Sequence, residues 1–126
     1  MNPDLIEWDY GDYEGRLSVD VDRERPGWNL YKDGAPHGES PEQVAARADH
    51  FINLVRPMEG DIAAFSSAQI IRMIAARWLG LPPLAARYFY TLTTSVGVLG
   101  HERNRDQPVV MLWDDIASLG ENIQGA

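Results

Sequence analysis

The chain contains no cysteine. That removes disulfide scaffolds, thiolate zinc sites and cysteine nucleophiles together, and it fits a reducing cytoplasm. No apolar run approaches the length needed to span a bilayer. Positive charge is scarce: 11 Lys and Arg against 19 Asp and Glu leave a formal net charge of −8. An acidic surface repels phosphate backbones and anionic lipid, so neither nucleic acid nor membrane is an expected partner. Met1 to Tyr10 holds Asp4, Glu7 and Asp9 with no base. It does not read as a secretory leader, and a cytoplasmic location is expected. What is present is ordinary globular material. The 126 residues are 44% hydrophobic and 24% charged, which suits a single domain over 1–126.

Charge is unevenly placed. Residues 1–25 carry eight acids and three bases. Residues 62–101 carry no acid, yet include Arg72, Arg77 and Arg87. Such a block either receives an anionic ligand or pairs with the acidic N-terminal stretch.

Residues 1–15 read as loop with at most a turn of helix, and 16–25 as a short helix stopped by Pro26-Gly27. Residues 26–39 are rich in Gly, Pro and Asp and read as loop. Ser40-Pro41-Glu42-Gln43 is a capping box with proline at the first helical position. Val44, Ala48, Phe51, Ile52 and Val55 then form one apolar stripe, ended at Pro57. Asp61 to Phe65 is a short apolar run after a turn, which predicts a buried strand. A second helix is predicted from about Ala68 to Leu79, closed by Gly80. Ile71, Ile74, Ala75 and Trp78 give it one face, widened by Ile70 and Met73. A short helix near 83–90 follows. Residues 95–101 and 108–113 alternate like strands around a polar loop and predict a hairpin. The tail from Asp114 reads as weak helix or as a frayed end. This order predicts an α/β fold with a small mixed sheet flanked by helices.

The strand–turn–helix unit at 61–79 is the candidate site. A helix entered from a strand offers free backbone N–H groups and a positive dipole end to an anion. Ser66, Ser67, Ala68 and Arg72 are the candidate anion-binding residues, with phosphate or a phosphoester as the expected partner. The alternative is that Ser66 or Ser67 simply caps the helix.

Three segments, in order, resemble the histidine phosphatase superfamily, the phosphoglycerate-mutase-like proteins. Leu5-x-Glu7-x-x-x-Gly11-x-x-Glu14-Gly15 is similar to the family's L-x-E-x-x-x-G-x-x-E-G segment. Gly38-Glu39-Ser40, with Val44 and Arg47, is similar to its G-E-S…V-x-x-R segment. Phe65-Ser66-Ser67-Ala68-x-Ile70-x-Arg72 is similar to its S-H-G-x-x-x-R strand–helix. The resemblance runs from Leu5 to about Trp113. It implies a phosphoglycerate-mutase-like fold in truncated form, matching the C-terminal part of a histidine phosphatase domain. It also implies phosphomonoester chemistry with no cofactor, and it gives Glu7 the general-acid position.

The departures bear on activity. The family's R-H-G histidine, which takes the phosphoryl group, has no counterpart among His37, His50 and His101. Only six residues precede Glu7. The second family histidine is replaced by Ser67, and the glycine after it by Ala68. Phosphoryl transfer needs a nucleophile and clustered positive charge, and serine cannot act as a cationic partner near neutral pH. Glu7 without a nucleophile is then a surface carboxylate or an acceptor of backbone hydrogen bonds. Ser67 as a nucleophile in its own right lacks the flanking glycines of a nucleophile elbow: Phe65 and Gln69 occupy those positions. The three histidines lack metal-ligand spacing, so no metal is expected, and the four tryptophans read as packing residues. Loss of a central strand would leave unpaired backbone and an apolar face. Self-association, or a partner chain that covers the exposed sheet, is therefore expected.

Overall fold

The computed structural model describes residues 2–116. Two 3-10 turns, Pro3–Leu5 and Gly11–Tyr13, precede helices α1 (Ser18–Glu24), α2 (Leu30–Asp33), α3 (Pro41–Val55) and α4 (Ala68–Trp78). A 3-10 turn at Pro83–Tyr88 leads to strands β1 (Val96–His101) and β2 (Pro108–Asp115). No helix among the described residues is long and apolar enough to cross a membrane.

Helix α3 begins as its sequence dictates. Ser40 Oγ accepts from the Gln43 amide at 3.1 Å, and Gln43 Oε1 accepts from the Ser40 amide at 2.8 Å. Pro41 has no N–H, so three donors are orphaned at this start, and two of them are thereby satisfied. Val44, Ala45, Ala48 and Ile52 bury the inner face, against α4. Helix α4 buries Ile70, Met73, Ile74, Ala75, Ala76 and Trp78. Burial of a side chain such as Ile70 or Met73 is worth about 1.5–3 kcal/mol each. Gly80 closes α4 at φ 75°, while the Leu81 amide returns to the Ala76 carbonyl at 2.9 Å. The core joins these faces to Trp8, Leu30, Tyr31 and Ala86.

Several expectations need correction. Residues 26–39 are not all loop, because Asn29 Oδ1 accepts from the Tyr31 amide at 2.9 Å and starts α2. A four-residue helix carries too little periodicity to be read, although its Leu30 and Tyr31 are core residues. The short helix expected near 83–90 is present as a 3-10 helix that ends at Tyr88. The chain from Asp114 is not helical at once: β2 continues to Asp115, and the rest of the expected tail helix, from residue 117, lies outside the described residues.

The larger difference concerns 61–65. The predicted buried strand is a non-regular segment outside any sheet, and its side chains are exposed, Ile62 at 46% and Phe65 at 89%. A strand exists only where a neighbour completes its ladder of hydrogen bonds. No backbone group of 61–66 is bonded to another backbone group among the described residues. The sheet is therefore the two-stranded antiparallel pair of β1 and β2, running from Val96 opposite Asp115 to His101 opposite Pro108.

Candidate functional site

The N-terminal segment is clasped to the front of α3. The Arg47 guanidinium forks onto the Glu39 carboxylate at 2.8 and 2.9 Å. Its remaining nitrogen reaches the carbonyls of Asp4 at 2.9 Å and Ile6 at 2.8 Å. Glu39 also accepts from the Asp9 amide at 3.0 Å, and its backbone carbonyl accepts from Trp8 Nε1 at 3.0 Å. Planar, charge-assisted pairing of this kind fixes geometry as well as contributing energy. The glycines of the motif segments have a steric reason. A Cβ on Gly38 would lie 2.4 Å from the Asp9 carbonyl oxygen, and one on Gly11 would lie 2.2 Å from that of Pro36. The two backbones meet too closely for any side chain.

This clasp delivers Glu7 to the start of α4. Glu7 Oε1 accepts from the Ile70 amide at 3.0 Å and from the Trp8 amide at 2.9 Å. Its Oε2 accepts from the Gln69 amide at 3.2 Å. A carboxylate at this end of a helix is favoured by the dipole as well as by the orphaned donors. Ser67 occupies the N-cap position in extended conformation, yet its side chain makes no capping bond. Ser66 instead donates its hydroxyl to the Leu5 carbonyl. Glu7 thus does the capping that either serine was expected to do, and both oxygens are committed to backbone donors.

Two tyrosines flank this carboxylate. The pKa of the Tyr10 hydroxyl is pushed well above the ordinary phenol value, by burial first and then by the Glu7 charge. Tyr31 donates its hydroxyl to Gln69 Oε1. Burial raises its pKa too, against the opposing charge of Arg72. Neither tyrosine was singled out in the sequence. Tyr10 sits three residues after Glu7 inside a recognised segment, but Tyr31 lies in a stretch that reads as loop, with no local signal.

Arg72 is tied to the 3-10 turn at Pro83–Tyr88. Its Nε and Nη2 bond the carbonyls of Ala86 at 3.2 Å and Arg87 at 2.6 Å, and the guanidinium lies 4.9 Å over the Tyr31 ring. Arg77 forks onto Asp49 at 2.8 and 2.9 Å. Arg87 lies over the Tyr88 ring and has no ion pair among the described residues. None of the three pairs with the acidic N-terminal stretch. The structure therefore gathers Glu7, Ser66, Ser67 and Ala68 at one helix end and directs Arg72 away.

The histidines are elsewhere. His37 Nδ1 pairs with Asp12 at 2.8 Å, and His50 Nδ1 pairs with Asp4. His101 packs on Trp78 with centroids 4.9 Å apart and ring planes tilted by 51°, and its Nε2 is buried without a partner among the described residues. The tryptophans pack as expected. Trp8 meets Tyr31 edge-on, Trp28 meets Tyr13, and Trp113 meets Phe89.

Residues 1–116 match the histidine phosphatase superfamily (branch 1). The chain belongs to that superfamily. It is 34% identical over 109 residues to an acid phosphatase of Mycobacterium tuberculosis, covering 85% of this chain and 54% of the relative. It is 35% identical over 99 residues to sedoheptulose 1,7-bisphosphatase of Saccharomyces cerevisiae, covering 64% of this chain and 36% of the relative. The solved structure of an open reading frame product of M. tuberculosis superposes with TM-score 0.81 at 32% identity, covering 86% of this chain and 56% of that one. The α-ribazole phosphatase of Shigella flexneri superposes with TM-score 0.70 at 20% identity, over 90% of this chain and 59% of that one, and shows the shared fold. The chain spans about half the length, or less, of the curated relatives it matches.

Proposed function

We propose that this chain, taken alone, is a degenerate superfamily member that does not turn over phosphomonoesters. One observation carries the reading. The start of α4, where resemblance puts a catalytic histidine, carries Ser67, and the amides of Gln69 and Ile70 there are held by Glu7. A phosphoryl group arriving at this end would find neither a nitrogen nucleophile nor those two donors. No imidazole is hydrogen-bonded to Ser67 among the described residues: His37 and His50 pair with Asp12 and Asp4, and His101 packs on Trp78. The test is hydrolysis of a chromogenic phosphomonoester by the purified chain, with trapping of phosphohistidine. Neither product nor phosphoenzyme is expected. Turnover abolished by Ser67→Ala or Glu7→Gln would overturn the reading.

A second reading is favoured by the unpaired segment 61–66. Another polypeptide laid along it would complete the ladder and cover Ile62 and Phe65. The occupant would be a second copy, or a chain that supplies the R-H-G portion and so assembles a site in trans. Light scattering over a concentration series reads this directly: association is expected, and a monomer at every concentration that also ignores candidate partners would contradict it.

A further inference from the structure

A cleft of about 480 Å³ is lined by residues of α1, α2, the start of α4 and the 3-10 turn at Pro83–Tyr88. Val19, Trp28, Leu30 and Tyr31 give it an apolar wall. Arg72 and Arg87 give it two guanidiniums, neither with a carboxylate partner among the described residues. Arg16, Arg23, Arg47 and Arg77 pair with acids, whereas Arg25, Arg56, Arg103 and Arg105, like Arg72 and Arg87, have no ion pair among the described residues.

The polar groups on the wall are one-sided. Asn29 Oδ1 is spent on the Tyr31 amide, and Gln69 Oε1 on the Tyr31 hydroxyl. Asp22 Oδ1 is spent on the Gly27 amide at 3.2 Å. The side-chain amide nitrogens of Asn29 and Gln69 and the Arg87 guanidinium have no hydrogen-bond acceptor among the described residues. A wall whose side-chain amide donors and Arg87 guanidinium are open, and whose amide oxygens are used, accepts an oxyanion; Arg72, with Nε and Nη2 on the Ala86 and Arg87 carbonyls, keeps Nη1 open among the described residues. Asp22, on the α1 side, would turn the charged end of a ligand toward the arginines.

We propose that this cleft binds an aryl oxyanion, a phosphate or carboxylate carried on an aromatic ring. The oxyanion meets Arg72 and Arg87, and the ring lies against Trp28, Leu30 and Tyr31. This inference goes beyond the reading of inactivity and does not depend on it, because none of Glu7, Ser66 or Ser67 lines the cleft.

The test is calorimetric titration of the full chain with phenyl phosphate, benzoate, inorganic phosphate and phenol at fixed ionic strength. The Trp28 indole N–H, which donates to the Gly34 carbonyl, is followed by NMR. Phenyl phosphate is expected to bind at least about tenfold more tightly than inorganic phosphate or phenol, a difference of about 1.4 kcal/mol. Benzoate is expected to share the site. Arg87→Gln is expected to weaken binding about fivefold or more without changing the melting temperature. The Arg87 carbonyl that holds Arg72 belongs to the backbone and survives that change. Absence of phenyl phosphate binding, phenol binding as tightly, or indifference to Arg87→Gln would overturn the proposal. Failure here would leave the hydrolysis assay unaffected, and hydrolysis would leave this titration unaffected.

Discussion

Residues 3–9 and residues 61–66 both lie beside the start of α4 and outside its helix, yet they are held in opposite ways. The first segment is gripped by Arg47 through three carbonyls, by Glu39 at both faces of Asp9, and by the α4 amides on Glu7. Among the described residues the second segment has one side-chain anchor, from Ser66 to Leu5, and no backbone ladder. The first is acidic and the second is almost wholly apolar. Apolar composition alone has not buried the second, because an extended backbone also needs a partner for its N–H and C=O groups. Charged residues hold the first because each charge has a specific partner.

The sharpest way to erase that contrast is to release the clasp. Arg47→Ala removes the fork on Glu39 and the bonds to the N-terminal carbonyls, and is expected to cost about 2–3 kcal/mol in urea unfolding. If the loss is no larger than for an exposed arginine such as Arg23, the clasp is decorative. Glu7→Gln takes one acceptor oxygen from the first turn of α4 and should cost about 1–2 kcal/mol, read as a lower unfolding midpoint at an unchanged m-value.

Alkaline pH weakens the same region. Burial raises the pKa of Tyr10 and Tyr31 above the ordinary value, so the folded state keeps protons that the unfolded state releases near pH 10. Their contribution is complete below pH 10 and is lost as pH rises beyond it. The denaturation midpoint should therefore fall above pH 10, and the double change Tyr10→Phe with Tyr31→Phe should flatten that fall. The smallest effect is expected on the loose side. Phe65→Ser should change the stability of the monomer by no more than about 0.5 kcal/mol while reducing any self-association. A loss of several kcal/mol would mean that Phe65 is buried in solution.

Local signals were legible and distant ones were not. The capping box at Ser40 joins residues three apart, and α3 starts where it says. The stripe from Ile70 to Trp78 and the two strands around the 102–107 loop are equally local. Glu7, by contrast, meets the Ile70 amide across 63 positions of sequence, and Arg47 meets the Ile6 carbonyl across 41. Nothing in composition or periodicity reports such pairs. The resemblance placed Gly38, Glu39 and Arg47 in one segment, and only the folded chain gives the reason: Glu39 and Arg47 bind each other and the N-terminal backbone. The strand expected at 61–65 failed for a complementary reason. An apolar run states what a segment could pair with, but the neighbour must come from outside the segment.

Amide hydrogen exchange on the isolated chain reads the contrast directly. The amides of Ile62 to Ser66 are expected to exchange at nearly the rate of an unstructured peptide, while those of Ile70 and of Met73 to Trp78 exchange slowly, through global opening. Strong protection at 62–66 in a sample shown to be monomeric would contradict the account.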